Sequence, residues 1–307
     1  MMKNLFKICL VAGVGFLASC GDEKGDYVKP VSKIDAETPS NALPENSNAE
    51  VSDIRWKLEF SDEFNDSRVD FNKWTINNDT KTRTPRPALG IKEWFHKPEN
   101  VREVQNEDGG MLVLEAKKIG TDVMYCSSVN TRDKYFMNYG YAEVRVKVAD
   151  TNRAVHTAFW FQSPDVNLVD GTGNDGAEID VFESAFVEDK TASTIHIDGY
   201  GNDHQENSKR YPAAGLHGSF HVWGMLWDEN QIKIYYDGEL KAEFSKEGGE
   251  EKWISRTKEY VQLSTGASWA NEGDFKSASV DSHLTNAYVD YIRIWTCLLY
   301  TSPSPRD

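Results

Sequence analysis

Cysteine is scarce: four occur in 307 residues, with Cys9 and Cys20 in the N-terminal leader, Cys126 alone in a strand-like stretch from Val123 to Val129, and Cys297 opening an atypical tail. Such a set supports no disulfide framework, so stability has to come from packing. Cys126 reads as a small buried apolar residue rather than a nucleophile. Positive charge is also short. Thirty-four Lys and Arg face 49 Asp and Glu, a net charge of -15, which disfavours nucleic acid and strongly anionic membranes as partners and leaves neutral or weakly charged ligands. Long amphipathic helices are few, and no internal repeat recurs at solenoid or propeller spacing.

Extended apolar runs are confined to one short segment, Ile8 to Leu17, which follows Lys3 and Lys7 and ends in Ala18-Ser19-Cys20. A charged start, a short apolar core and a small-residue end make residues 1–19 an export signal rather than part of the fold. Leu17-Ala18-Ser19-Cys20 resembles the bacterial lipobox, in which the cysteine carries a diacylglycerol, and the acidic Asp22-Glu23 behind it resembles signals for the outer face of Gram-negative cells. Lipidation at Cys20, an outer-membrane lipoprotein exposed at the cell surface and no other membrane contact are the expectations. Residues 20–53 are rich in Asp, Glu, Ser, Asn and Pro and poor in bulky apolar side chains. That composition predicts a disordered tether.

From Trp56 the pattern changes. Short apolar-alternating segments recur, separated by turn residues: Trp56–Phe60, Met111–Lys117, Tyr141–Val148, Thr157–Gln162, Glu178–Glu183, Ala192–Ile197, His221–Trp227, Gln231–Tyr236, Tyr260–Ser264 and Ala287–Trp295. Many short strands with few helices predict an all-β fold, a sandwich or barrel, in one domain of residues 54–296. The tail from Cys297 to Asp307 shows no period or turn logic and resembles translated sequencing adapter, so residues 297–307 are expected to be non-native.

Three carboxylates gather on one strand in Gly176-Ala-Glu178-Ile-Asp180-Val-Phe-Glu183. Glu178 and Asp180 share a face because side chains alternate, whereas Glu183 belongs to the opposite face unless a β-bulge at Val181-Phe182 re-aims it. Like charges side by side cost stability and raise one another's pKa. Glycosidic hydrolysis uses that arrangement: one acid has to be protonated while another is ionised. With 12% aromatic residues and nine Trp, the chain also has flat apolar faces of the kind that stack on sugars.

The trio resembles the Glu-x-Asp-x-x-Glu signature of glycoside hydrolase family 16. Further resemblances run through the domain, in Phe60-Ser-Asp-Glu63-Phe, Asn72-Lys-Trp74, Met111-Leu-Val-Leu-Glu-Ala116, Tyr139-Gly-Tyr-Ala-Glu143-Val-Arg145, His221-Val-Trp-Gly-Met-Leu-Trp227, Tyr235-Tyr-Asp237-Gly238 and Val289-Asp290-Tyr-Ile-Arg293-Ile. The resemblance implies a jelly-roll β-sandwich with a concave substrate cleft. It also implies endo-acting, retaining hydrolysis of a β-linked polysaccharide, with Glu178 as nucleophile, Glu183 as acid/base and Asp180 assisting. Laminarinases usually carry Gly-x-Trp-Pro-Ala-x-Trp before this strand. Here the run is Ala154-Val-His156-Thr157-Ala-Phe-Trp160, which keeps β-galactans such as agar and porphyran beside β-1,3- and mixed-linkage glucans as substrates.

Trp160, Trp94 and Trp269 are candidates for sugar stacking, and His196, on the strand after the acid trio, is a candidate for the cleft. No cofactor is expected for catalysis. The resemblance implies a structural calcium at Asp290 with backbone near Gly110, against an alternative in which Asp290 bridges to Arg293 or Arg145. Asp62 and Glu63 are expected to cap or pair at the sandwich edge. The chain is expected to act as a monomer. Two other functions fit the same residues, a non-catalytic glycan-binding lipoprotein and a transglycosylase.

Overall fold

Alternating apolar residues along these strands have one face to bury, and in the computed structural model they bury it between two stacked sheets. The structure describes residues 32–44, 56–106 and 109–297, all in the unit from Ser32 onward. One sheet has seven antiparallel strands in the order Gln205–Pro212, Lys190–Ile197, Ala177–Glu183, Val155–Gln162, Tyr260–Ala267, Ser128–Asn130 and Thr75–Ile76. The other has ten. Its main path runs Glu239–Ser245, Gln231–Tyr236, His221–Trp227, Gly140–Lys147, Leu284–Cys297, Gly109–Ile119, Val123–Cys126 and Glu93–His96, with Trp56–Asp62 and Val101–Asn106 added at its side.

Between the sheets lies a single large core that includes Phe159, Phe161, Ile179, Val181, Phe182, Ile195, Val261 and Leu263 from the seven-stranded sheet and Trp223, Met225, Ile292 and Ile294 from the other. Each fully buried side chain of this size contributes about 1.5–3 kcal/mol of transfer free energy. All ten segments anticipated from alternation are strands. Alternation does not reveal Gln205–Pro212, whose sequence Gln-Glu-Asn-Ser-Lys-Arg-Tyr-Pro is almost wholly polar. It is an edge strand bonded on one side only, to Lys190–Ile197, and an edge strand can form without an apolar stripe because polar side chains there also discourage pairing with other chains.

Two boundaries differ from expectation. Residues 32–44, placed in the tether by composition, lie along the strand Trp56–Asp62 instead: Ser61 N–H donates to Lys33 O at 3.1 Å, Thr38 Oγ1 to Glu63 Oε1 at 2.6 Å, and Trp295 Nε1 to Ala42 O at 3.1 Å. Asp35 also pairs with buried Lys73 at 3.6 Å. Low hydrophobicity misleads here because the segment is held by polar bonds to an existing strand, not by a core of its own. Cys297 is the second difference. Placed in the tail, it is buried and closes the last strand opposite Trp56. The expected signal, Cys20, the rest of the tether up to residue 31 and over 45–53, and residues 298–307 lie outside the described residues.

Asp62 and Glu63 pair as anticipated. Trp74 Nε1 donates to Asp62 at 2.7 Å, and Arg293 grips Glu63 with two bonds of 2.9 and 2.8 Å.

Candidate active site

Strand Ala177–Glu183 sits third in the seven-stranded sheet, flanked by Lys190–Ile197 and Val155–Gln162. Its register holds until Asp180, which pairs with Thr194 on one side and Trp160 on the other. Then it slips: Glu183 pairs with Ala192 and Ala158, so three steps along this strand match two on each neighbour. This is the bulge at Val181-Phe182. Both extra-step residues turn inward and are fully buried, with Phe182 stacked on Trp223 at 4.4 Å. The local sequence has consecutive apolar residues between two acids, and a bulge is the arrangement that buries Val181 and Phe182 while keeping Asp180 and Glu183 on the outer face.

Glu178, Asp180 and Glu183 therefore line one open groove of about 990 Å³ across this sheet. Trp160, Trp94, Trp269 and His196 line it too, so all seven anticipated cleft residues meet. Trp160 is half-buried and donates to Ser264 Oγ at 3.1 Å. Trp94 is only 5% exposed, with its N–H on Thr84 O at 2.7 Å, which makes it a wall more than a platform. Trp269 packs edge-on to Phe186 and aims its N–H toward Glu183 without completing a hydrogen bond.

The acids differ in their surroundings. Gln162 donates to Glu178 Oε2 at 2.7 Å, and Tyr200 donates its hydroxyl to the same oxygen. Burial pushes Glu178 up to about 7, the Asp180 charge adding to it and His196, Tyr200 and Gln162 opposing it. Burial holds Glu183 well above the usual carboxylate range, again with Asp180 adding and His196 opposing. Asp180 is raised by burial and by Glu206, and its Oδ2 lies 3.2 Å from His196 Nε2. Two direct donors make Glu178 the most readily ionised of the three acids, all of which burial raises.

His156, in place of the laminarinase tryptophan, stands beside Glu183 with Nε2 3.8 Å from Oε1. Burial pulls this ring down to about 4, so it is neutral; its Nδ1–H donates to Ala267 O at 3.2 Å and leaves Nε2 bare toward the acid. A bare nitrogen tolerates a protonated neighbour. The close packing needs Gly266, where a Cβ would come within 2.5 Å of His156 Cε1 and 3.1 Å of Trp94.

Sequence reasoning missed Tyr200, Gln162, His204 and Glu206, and the groove arginines Arg83, Arg86, Arg132 and Arg210. Gln162 and Glu206 were in principle accessible through strand register, because they sit opposite Glu178 and His196. Tyr200 follows the strand in a turn with no periodic signal.

The two positions of the calcium expectation, Asp290 and Gly110, both engage protein partners. Asp290 gives its carboxylate to Arg145 at 2.5 Å, the alternative raised from the sequence, and Gly110 donates its N–H to Asn65 Oδ1 at 2.7 Å. A carboxylate already neutralised by a guanidinium makes a poor hard-cation ligand. Among the described residues Asp290 joins no group of three metal-ligating side chains.

These acidities carry a pH prediction. As pH rises through about 7, Glu178 loses its proton and kcat/KM climbs; above that, Glu183 loses its own and kcat/KM falls. A pH series of initial rates with limiting substrate checks this, and a flat profile from about pH 5 to 9 contradicts it.

The family model that matches this chain describes the GH16 domain of β-porphyranases A–D and spans residues 56–297. Among curated proteins, the chain is 29% identical over 201 residues to glucan endo-1,3-beta-glucosidase A1 of Niallia circulans, covering 60% of itself but only 28% of that protein. It is 24% identical over 255 residues to a beta-glucanase of Rhodothermus marinus, covering 78% of itself and 85% of that protein. Among solved structures, the laminarinase catalytic domain from Thermotoga maritima MSB8 superposes with a TM-score of 0.61 at 25% identity, over 79% of this chain and 99% of that one. The two-sheet sandwich is thus a jelly roll, and the chain belongs to glycoside hydrolase family 16.

Proposed function

We propose that this protein is an endo-acting, retaining β-glycosidase, with Glu178 as nucleophile, Glu183 as acid/base and Asp180 as the acid that assists Glu178. The observation that carries the reading is the bulge. It sets Glu178, raised to about 7, and Glu183, held higher still, on one face of one strand, within an open groove that an internal stretch of polysaccharide can cross. Glu183 gives its proton to the leaving oxygen as Glu178 attacks the anomeric carbon. Glu183 then takes a proton from the water that releases the sugar. Asp180, held by His196, keeps a proton available beside Glu178 and so varies its charge through the cycle.

For the substrate we favour a sulfated β-galactan of the porphyran type over β-glucans. The chain as a whole is strongly acidic, yet Arg83, Arg86, Arg132 and Arg210 line the groove, which suits a polymer bearing sulfate. The matched family description points the same way. The test is product analysis on porphyran, chemically desulfated porphyran, agarose, laminarin and mixed-linkage glucan. We expect the fastest release of reducing ends from porphyran, with the anomeric configuration retained. Faster release from laminarin sinks the galactan assignment. Tight binding without new reducing ends marks a binding protein, and products longer than the substrate mark a transglycosylase.

We further infer an outer-membrane lipoprotein displayed at the cell surface, because Leu17-Ala18-Ser19-Cys20 has the residues for lipidation at Cys20. Cys20→Ser is expected to move the protein from the membrane to the soluble fraction; continued membrane attachment refutes the anchor.

A further inference from the structure

Beyond the acid trio, the groove rim carries a second cluster. His196 presents Nε2 to Asp180 and turns Nδ1 to the other side, where His204 Nε2 lies at 2.9 Å and Glu206 Oε2 at 3.6 Å. One ligand atom from each of His196, His204 and Glu206 falls within 4.8 Å of the others. The two rings are nearly parallel, 17° apart, and Tyr200 stacks on His204 at 5.7 Å. The histidines are half-buried and the Glu206 side chain is 58% exposed, so an ion from solvent can reach all three.

Two imidazole nitrogens and one carboxylate form a donor set for a borderline cation such as zinc, not for calcium, which takes six to eight oxygens. Tetrahedral zinc, with bonds of about 2.0–2.2 Å, sets its ligand atoms roughly 3.3–3.5 Å apart. His196 Nδ1 lies 2.9 Å from His204 Nε2, in hydrogen-bond contact, and 3.6 Å from Glu206 Oε2, with every pair within 4.8 Å, so the ion would replace the proton shared by the two rings as they part. A second observation points the same way. Metal-bound histidines commonly donate their other ring N–H to a carboxylate, which fixes the tautomer, and His196 already has Asp180 at 3.2 Å in that position.

We propose that His196, His204 and Glu206 bind one divalent transition-metal ion of the zinc class at the rim of the groove, with the fourth position open to water. The ion takes the lone pair on His196 Nδ1 and fixes the ring proton on Nε2, facing Asp180.

The full-length protein, stripped with a chelator, is titrated with zinc chloride by isothermal calorimetry beside His204→Ala, His204→Gln and Glu206→Gln, with calcium chloride as the control ion. The expected result is one zinc equivalent in the wild type, weakened about tenfold or more by each substitution, and no comparable calcium binding. Zinc should also raise the melting temperature of the wild type and leave that of the His204 variants unchanged. Zinc affinity equal in all four proteins would place the ion elsewhere, for example on the thiols or His221, and overturns the proposal. So does the lack of any zinc binding, or calcium binding of equal strength. Circular dichroism of the metal-free variants establishes that they are folded. No glycan enters these measurements, so the hydrolase reading and the metal site succeed or fail separately.

Discussion

Glu178→Gln is expected to lower kcat on polysaccharide by about 10⁴-fold or more, because an amide cannot form the glycosyl ester. Glu183→Gln is expected to lose about 10²- to 10⁴-fold. The second loss should depend on the leaving group. An activated aryl glycoside departs without a proton, so Glu183→Gln should form the glycosyl-enzyme from it at a substantial rate and stall before hydrolysis, whereas Glu178→Gln should fail on both substrates. Reducing-end release from polysaccharide and burst-phase release of the phenol separate the cases. Wild-type rates in either variant would remove the catalytic assignment. Equal behaviour of the two on the aryl substrate would remove the division of roles between them.

Phe182→Ala should give the second large effect, on stability as well as rate. Phe182 has no exposed surface, stacks on Trp223 across the core and is one of the two bulge residues. Truncating a buried phenylalanine costs about 3–5 kcal/mol. The bulge loses half of its inward anchor, so Glu183 should move relative to Glu178 and activity should fall further than the unfolded fraction accounts for. Denaturant unfolding together with kcat on the folded fraction measures both parts. A loss below about 1 kcal/mol would mean that Phe182 does not hold the bulge.

The contrast between two strands explains how much of this site could be read in advance. In Glu178–Glu183 the residue types conflict with simple alternation, and the conflict itself is legible: three acids and two adjacent apolar residues cannot all face correctly without one slipped step. In Gln205–Pro212 no conflict exists, because all but the last two residues are polar, and only pairing with Lys190–Ile197 reveals it. Glu206 could be placed only through that register, opposite His196, and His204 lies in the turn before the strand, where no pattern marks it. The arginines were equally hidden. Arg83, Arg86, Arg132 and Arg210 come from separate parts of the chain and meet only in the groove.

Residues 32–44 show the converse case, in which composition alone misleads. Their polar composition predicts a tether, yet their backbone and side chains bond to the strand Trp56–Asp62 and to Glu63.

By itself the sequence determined the all-β class, the main strands, the acid trio and the need for a bulge, because these follow from side-chain period and charge within a few consecutive residues. Tertiary structure alone decided how far burial raises each acid, which donors hold Glu178, and that two histidines and a glutamate stand behind Asp180. Protonation depends on burial and on charges a few ångströms away, and both are set by strands far apart in sequence that register brings side by side.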